Sequence, residues 1–128
     1  MMRILPLAAT LLLSAPLAAA DASQPFRSVR YPPEITDFPD RAACEASLGA
    51  VAGQRRAEDA YAPPGQWTTI EHQGPTRDQQ GQLAYQLVRI NRVEAEGAVR
   101  LMAHNWEYRC DGPQRSMDFE LIEAWFGG

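Results

Sequence analysis

Apolar and polar positions alternate between Leu83 and Cys110, through LAYQLVRINRVEAEGAVRLMAHNWEYRC. The alternation predicts two long strands folded back on each other at Glu94–Gly97. Val, Ile, Leu, Tyr and Trp recur through the stretch, as suits a pleated, half-buried surface. A turn on either Ala95-Glu96 or Glu96-Gly97 pairs odd positions with even ones. One face then carries Leu83, Tyr85 and Leu87 with His104, Trp106, Tyr108 and Cys110. The other face carries Val88, Ile90, Val99, Leu101 and Ala103, nearer the turn. The hairpin is therefore expected to be apolar on one face at its base and on the other at its tip.

The period changes upstream. Cys44, Leu48 and Val51 fall at i, i+4 and i+7, which predicts a helix over 37–61. Asp37 is the expected cap, with Pro39 in the first turn and Asp40 adding charge near the positive helix end. Gly49 and Gly53 weaken that helix by about 1 kcal/mol each relative to Ala. They mark either a close approach to the sheet or an early stop at Gly53. Arg55 and Arg56, one turn before Glu58 and Asp59, read as a solvated face, and Pro63-Pro64-Gly65 ends the helix.

The remaining segments are shorter. Phe26–Tyr31 predicts an edge strand closed by Pro32-Pro33, and YPPEITDFP reads as a stiff connector rather than a proline-recognition ligand. Trp67–His72 predicts a short strand, whereas 73–82 is polar, glycine-containing and aperiodic, and reads as a loop. Asp111-Gly112-Pro113 is a turn signal. Met117, Phe119 and Leu121 then alternate with acidic residues as in a strand, although Leu121, Ala124 and Trp125 also fit a helical turn. The expected fold class is α+β, one N-terminal helix packed on a four- to five-stranded antiparallel sheet.

Composition adds compartment and staple. Residues 1–20 have the three parts of a secretory signal: Arg3, an apolar run from Ile4 to Leu13, and Ala18-Ala19-Ala20 before Asp21. A membrane-spanning helix needs about 20 apolar residues, and this run is shorter. No cysteine follows the cut to take a lipid anchor. The expected organisation is thus a cleaved signal over 1–20, a leader over 21–36 containing the short edge strand, and one α+β domain over 37–128. Localisation is expected to be exported, and periplasmic in a Gram-negative source. No membrane span is expected after cleavage.

After that cut, eleven arginines face sixteen acidic residues, a net charge of −5. This balance argues against nucleic acid and anionic membranes as partners. The chain has no lysine, which excludes a phosphate-loop lysine and Schiff-base or lysine-base chemistry. The two cysteines, Cys44 and Cys110, are an even count in an exported chain and predict a disulfide. Cys44 lies on the helix stripe and Cys110 on the Trp106–Tyr108 strand face, so the bond should join helix to sheet.

Local catalytic signatures are missing. His72 and His104, with Glu71 and Glu107, are the candidate metal ligands, but their spacing matches no metal motif and no metal or other cofactor is expected. No serine sits in a nucleophile elbow. Cys110 and His104, six residues apart on one strand, would be about 20 Å from each other. Glu94 and Glu96 sit at a turn tip, where water solvates both. No catalytic residue is assigned.

The aromatics are more suggestive. Trp125 and Phe126 stand beside a glycine pair, and with Trp67 they are the expected binding residues. The competing reading docks them inward as core. The expectation is a small exported, non-enzymatic binding protein with a protein partner, of the inhibitor or immunity type. The alternative is a small periplasmic hydrolase whose carboxylates converge only in the fold.

Overall fold

The computed structural model describes residues 26–127; the signal sequence expected over 1–20 and the leader ahead of Phe26 lie outside them. The dominant element is the antiparallel hairpin of β4 (Leu83–Ala95) and β5 (Ala98–Asp111). Ala95 pairs with Ala98, so the chain turns on Glu96-Gly97, both at positive φ (54° and 78°). Such values build the mirror-image turn whose twist matches paired strands, and glycine takes them without strain. Strand β6 (Gln114–Gly127) returns along β5 for its whole length, so the 117–126 segment is strand and not helix.

The sheet has six strands rather than the expected four to five. On the outer edge of β6 lie both β1 (Phe26–Arg30) and β2 (Glu34–Asp37), end to end. Tyr31–Pro33 interrupts them, since proline offers no ladder donor, though the Tyr31 N–H still donates to the Phe119 carbonyl at 3.1 Å. The connector reading of this segment is therefore corrected at 34–37, which is strand. At the opposite edge β3 (Thr69–Arg77) pairs with β4. Half of the segment read as a loop over 73–82, up to Arg77, thus belongs to a strand. Gly74 and Pro75, joined by a cis peptide, form an irregularity between Gln73 and Thr76, and only Asp78–Gln82 turns. An edge strand packed on few neighbours carries no apolar period, which is why the pattern hid it.

Helix α1 (Arg41–Ala60) connects β2 at one edge with β3 at the other. It starts later than 37–61 predicts, because Asp37 is engaged in β2 opposite Gln114. Asp40 is the cap, accepting the Ala43 N–H at 2.8 Å. Gly53 does not stop the helix. Neither Gly49 nor Gly53 approaches the sheet, since an added Cβ would meet nothing within 4 Å at either.

The core forms where α1 crosses the hairpin base. Cys44, Leu48 and Ala52 meet Tyr85, Leu87, Tyr108 and Cys110, with Trp106 and Met117 packed against them. The Cys44–Cys110 disulfide is formed, across a sequence separation of 66 and with Cα atoms 6.1 Å apart. By the chain-entropy account such a cross-link stabilises the fold by about 4 kcal/mol.

Lengths decide what stays uncovered. A 20-residue helix is about 30 Å long, whereas a 14-residue strand runs about 46 Å. The tip of the sheet therefore projects past the helix on one face. Nothing among the described residues covers the other face, where Val88, Ile90, Leu101, Ala103 and Ile122 lie side by side.

Candidate functional site

Where α1 ends over β3 and β4, three strands present a row of ionisable and aromatic side chains. His72 on β3 stands across from Leu87, with its Nδ1 2.6 Å from the Tyr85 hydroxyl. Its Nε2 lies 2.8 Å from Asp59 Oδ2, close but poorly aligned for a hydrogen bond. Arg89 Nη2 donates towards the other side of the same carboxylate, with Asp59 Oδ1 at 2.8 Å and Glu58 Oε1 at 3.3 Å. Arg55 donates to Glu58 at 3.2 Å and to the Tyr108 hydroxyl at 3.3 Å. Arg55, Glu58 and Asp59 are thus no solvated face. They tie the helix end to the sheet, and the Asp59 side chain is only 9% exposed.

Aromatic rings frame this row. The Arg89 guanidinium lies 5.8 Å from the Trp67 ring and 5.3 Å from the Trp106 ring. His104 sits edge-on to Trp67 at 5.4 Å and is stacked with Trp106 at 6.0 Å, with Phe119 beyond. An arginine held between two indoles is favourable electrostatically and limits the motion of all three groups. Beside it, an open depression of about 310 Å³ is bounded by Glu58, Tyr61, Gln66 and Trp67.

The electrostatics favour holding over reacting. Burial pushes the Tyr85 hydroxyl above its ordinary pKa, and the ring is 1% exposed, so the Tyr85–His72–Asp59 array presents no accessible nucleophile. Burial raises Glu58 somewhat, but hydrogen bonds from Arg55 and Arg89 outweigh it and keep its carboxyl low. Glu58 therefore stays ionised and suits an ion pair better than a proton donor.

The residues singled out from sequence end up dispersed. His72 is a half-buried residue in the middle of β3, and His104 stands across from Arg89. β4 separates the two histidines. Glu71 and Glu107, by strand parity, project from the opposite face, so the four do not converge. Among the described residues no group of three or more His, Cys, Asp or Glu side chains is placed to hold a metal ion. Glu94 remains at the exposed tip beside Arg92, and Glu96 occupies the turn.

Trp125 and Phe126 sit at the end of β6, pair with Arg100 and Val99, and point to opposite faces. They cannot form one patch. Trp125 shares the helix-side face, 36% exposed, with Arg27 5.7 Å over its ring. Next to it Arg27 and Arg100 bracket the buried Glu123 carboxylate at 2.5 and 3.5 Å. Phe126, 53% exposed, belongs to the uncovered face. Trp67 precedes β3 and joins the arginine row. Sequence reasoning missed Arg89, Asp59 and Glu123, whose positions depend on which strands become neighbours. A usable signal was present for Arg89: by parity it belongs to the apolar base face of the hairpin.

Comparison with known proteins gave no match to a family model, a curated protein or a solved structure.

Proposed function

We propose that the protein is a small exported, non-enzymatic binding module that engages a protein partner. The observation that carries this reading is the helix-side tip of the sheet. There Trp67, His104, Trp125 and Val29 flank arginines anchored by Asp59 at the end of α1 and by Glu123 on β6. Partly exposed aromatics and rigidly held arginines are the side chains enriched where binding energy concentrates, because they offer large contact area at little entropic cost. The disulfide accords with an oxidising compartment and hence with export. The hydrolase alternative needs two convergent, desolvated carboxylates. The adjacent pair, Glu58 and Asp59, is instead committed to arginines.

The test uses the immobilised exported protein and the soluble exported fraction of its own source. Trp67→Ala and Trp125→Ala should each weaken capture of the partner by about fivefold or more, with melting temperature nearly unchanged. Capture that persists in both folded variants, or hydrolytic activity that disappears in Glu58→Gln, would refute the reading.

A further inference from the structure

The uncovered face is apolar towards the tip, and one of its rows is nearly symmetric about β5. Reading across β3, β4, β5, β6 and β1, one row is Thr69, Ile90, Ala103, Ile122 and Ser28. The next row towards the base is Glu71, Val88, Asn105, Glu120 and Arg30. Towards the tip follow Arg92, Leu101, Ala124 and Phe26, then Glu94, Val99 and Phe126. One sheet edge thus ends in an acid and the other, in the same row, in a base. Glu71 is exposed and makes no ion pair among the described residues, while the Arg30 side chain is 73% exposed.

From this register we infer that the uncovered face is the interface of a homodimer, its two-fold axis running along β5. Rotation about that axis lays one sheet on its copy and exchanges the edges. Ile90 then faces Ile122 of the second copy, Thr69 faces Ser28, and Glu71 faces Arg30. Val99, Leu101 and Ala103 lie on the axis and meet their own counterparts. Phe26 falls into the notch beyond Thr69, where β3 has no further residue, next to Arg92. Val88 meets the stem of Glu120, whose carboxylate is turned aside to Ser28 and Arg30. An isologous contact requires this self-complementarity, in which a residue and its opposite number exchange places.

Size supports the same occupant. Five strands about 4.8 Å apart in the two rows towards the base, narrowing to four and then three at the tip, give a planar footprint of about 540 Å² before side-chain relief. That approaches the roughly 800 Å² per partner of a standard interface. Flat pleated faces stack on one another with interdigitating side chains, and a one-layer sheet tip lacks the second layer a core needs. The contact has a natural limit at the base, where Glu107 on the axis would meet its own copy.

Sedimentation equilibrium of the exported protein tests the inference without any knowledge of a partner. The expected result is a dimer that Leu101→Glu converts to a monomer with an unchanged circular dichroism spectrum. Glu71→Arg and Arg30→Glu should each weaken dimerisation about tenfold or more, and the double exchange should recover part of the loss, because the pair between copies is then reversed while the Arg30–Glu120 pair within each copy stays broken. Both sites are exposed, so the exchange remains readable even if Leu101→Glu misfolds. A monomer at every concentration, a dimer indifferent to Leu101→Glu, or a charge exchange without rescue would overturn the inference. Leu101 and Trp67 lie on opposite faces, so this result is independent of the binding test above.

Discussion

Three glycines show how far the surroundings of one residue decide its role. Gly49 and Gly53 lie in the middle of α1, where a Cβ would meet nothing within 4 Å. Their cost is the conformational freedom they lose on folding, with no packing return. Gly49→Ala and Gly53→Ala should each stabilise the protein by about 1 kcal/mol, read as a higher denaturation midpoint at unchanged slope. Gly74 is the opposite case. Its φ is 92°, and a Cβ would lie 2.5 Å from the Ala84 carbonyl oxygen and 2.9 Å from the Thr76 nitrogen, both backbone atoms that cannot swing aside. Gly74→Ala should therefore destabilise by about 1–3 kcal/mol, the range for forced overpacking. Equal midpoints for the three variants would contradict this geometry.

Between elements, ion pairs do what apolar contact cannot at the two ends of α1. At its start Glu45 accepts from Arg77 on β3 at 2.8 and 2.9 Å and from Arg41 at 2.9 Å. The hydrogen bonds from Arg77, then Arg41, hold its carboxyl down to about 2 from an ordinary 4.5. A carboxyl depressed on folding stabilises the ionised native state. That contribution is fully present above pH 4.5 and is lost as the pH falls towards about 2. The stability gap between the protein and Glu45→Gln should therefore be constant near neutrality and close through that window. A gap that persists at pH 2 would show that Glu45 acts by packing instead. Exposure and salt screening keep the effect small. At the far end of α1, Asp59 is shared between His72 and Arg89 and plays the same tying role in more buried surroundings.

For the molecule as a whole, the fully buried cluster is small and joins one helix to one half of a large sheet. The Cys44–Cys110 bond crosses that junction. Its reduction should lower stability by about 4 kcal/mol, within the 2–5 common for small secreted domains, measurable by denaturant titration with and without reductant. A loss below 1 kcal/mol would mean that the apolar contacts alone hold the layers together.

Local pattern was enough to determine the hairpin and which of its residues share a face, and it narrowed the turn to two adjacent positions. Period two links each strand residue to one side, and a turn on Glu96-Gly97 leaves a single parity of pairing. The same local logic put Cys44 and Cys110 on facing surfaces, and the bond followed. What the sequence could not decide was neighbourhood across long separations. β2 is an edge strand held by β6 from far along the chain, whereas the strand half of the 73–82 stretch pairs with the nearby β4 and was hidden only because it lacks an apolar period of its own. The opposite faces of Trp125 and Phe126 follow from parity once β6 is known to be a strand, and only its pairing with β5 decides that. The row from His72 through Asp59 to Arg89 depends on where the helix ends over the sheet. The opposed edge charges of Glu71 and Arg30 depend on register added across five strands. Short-range propensity carries no information about either, because the contacts that set them form only when the whole sheet closes.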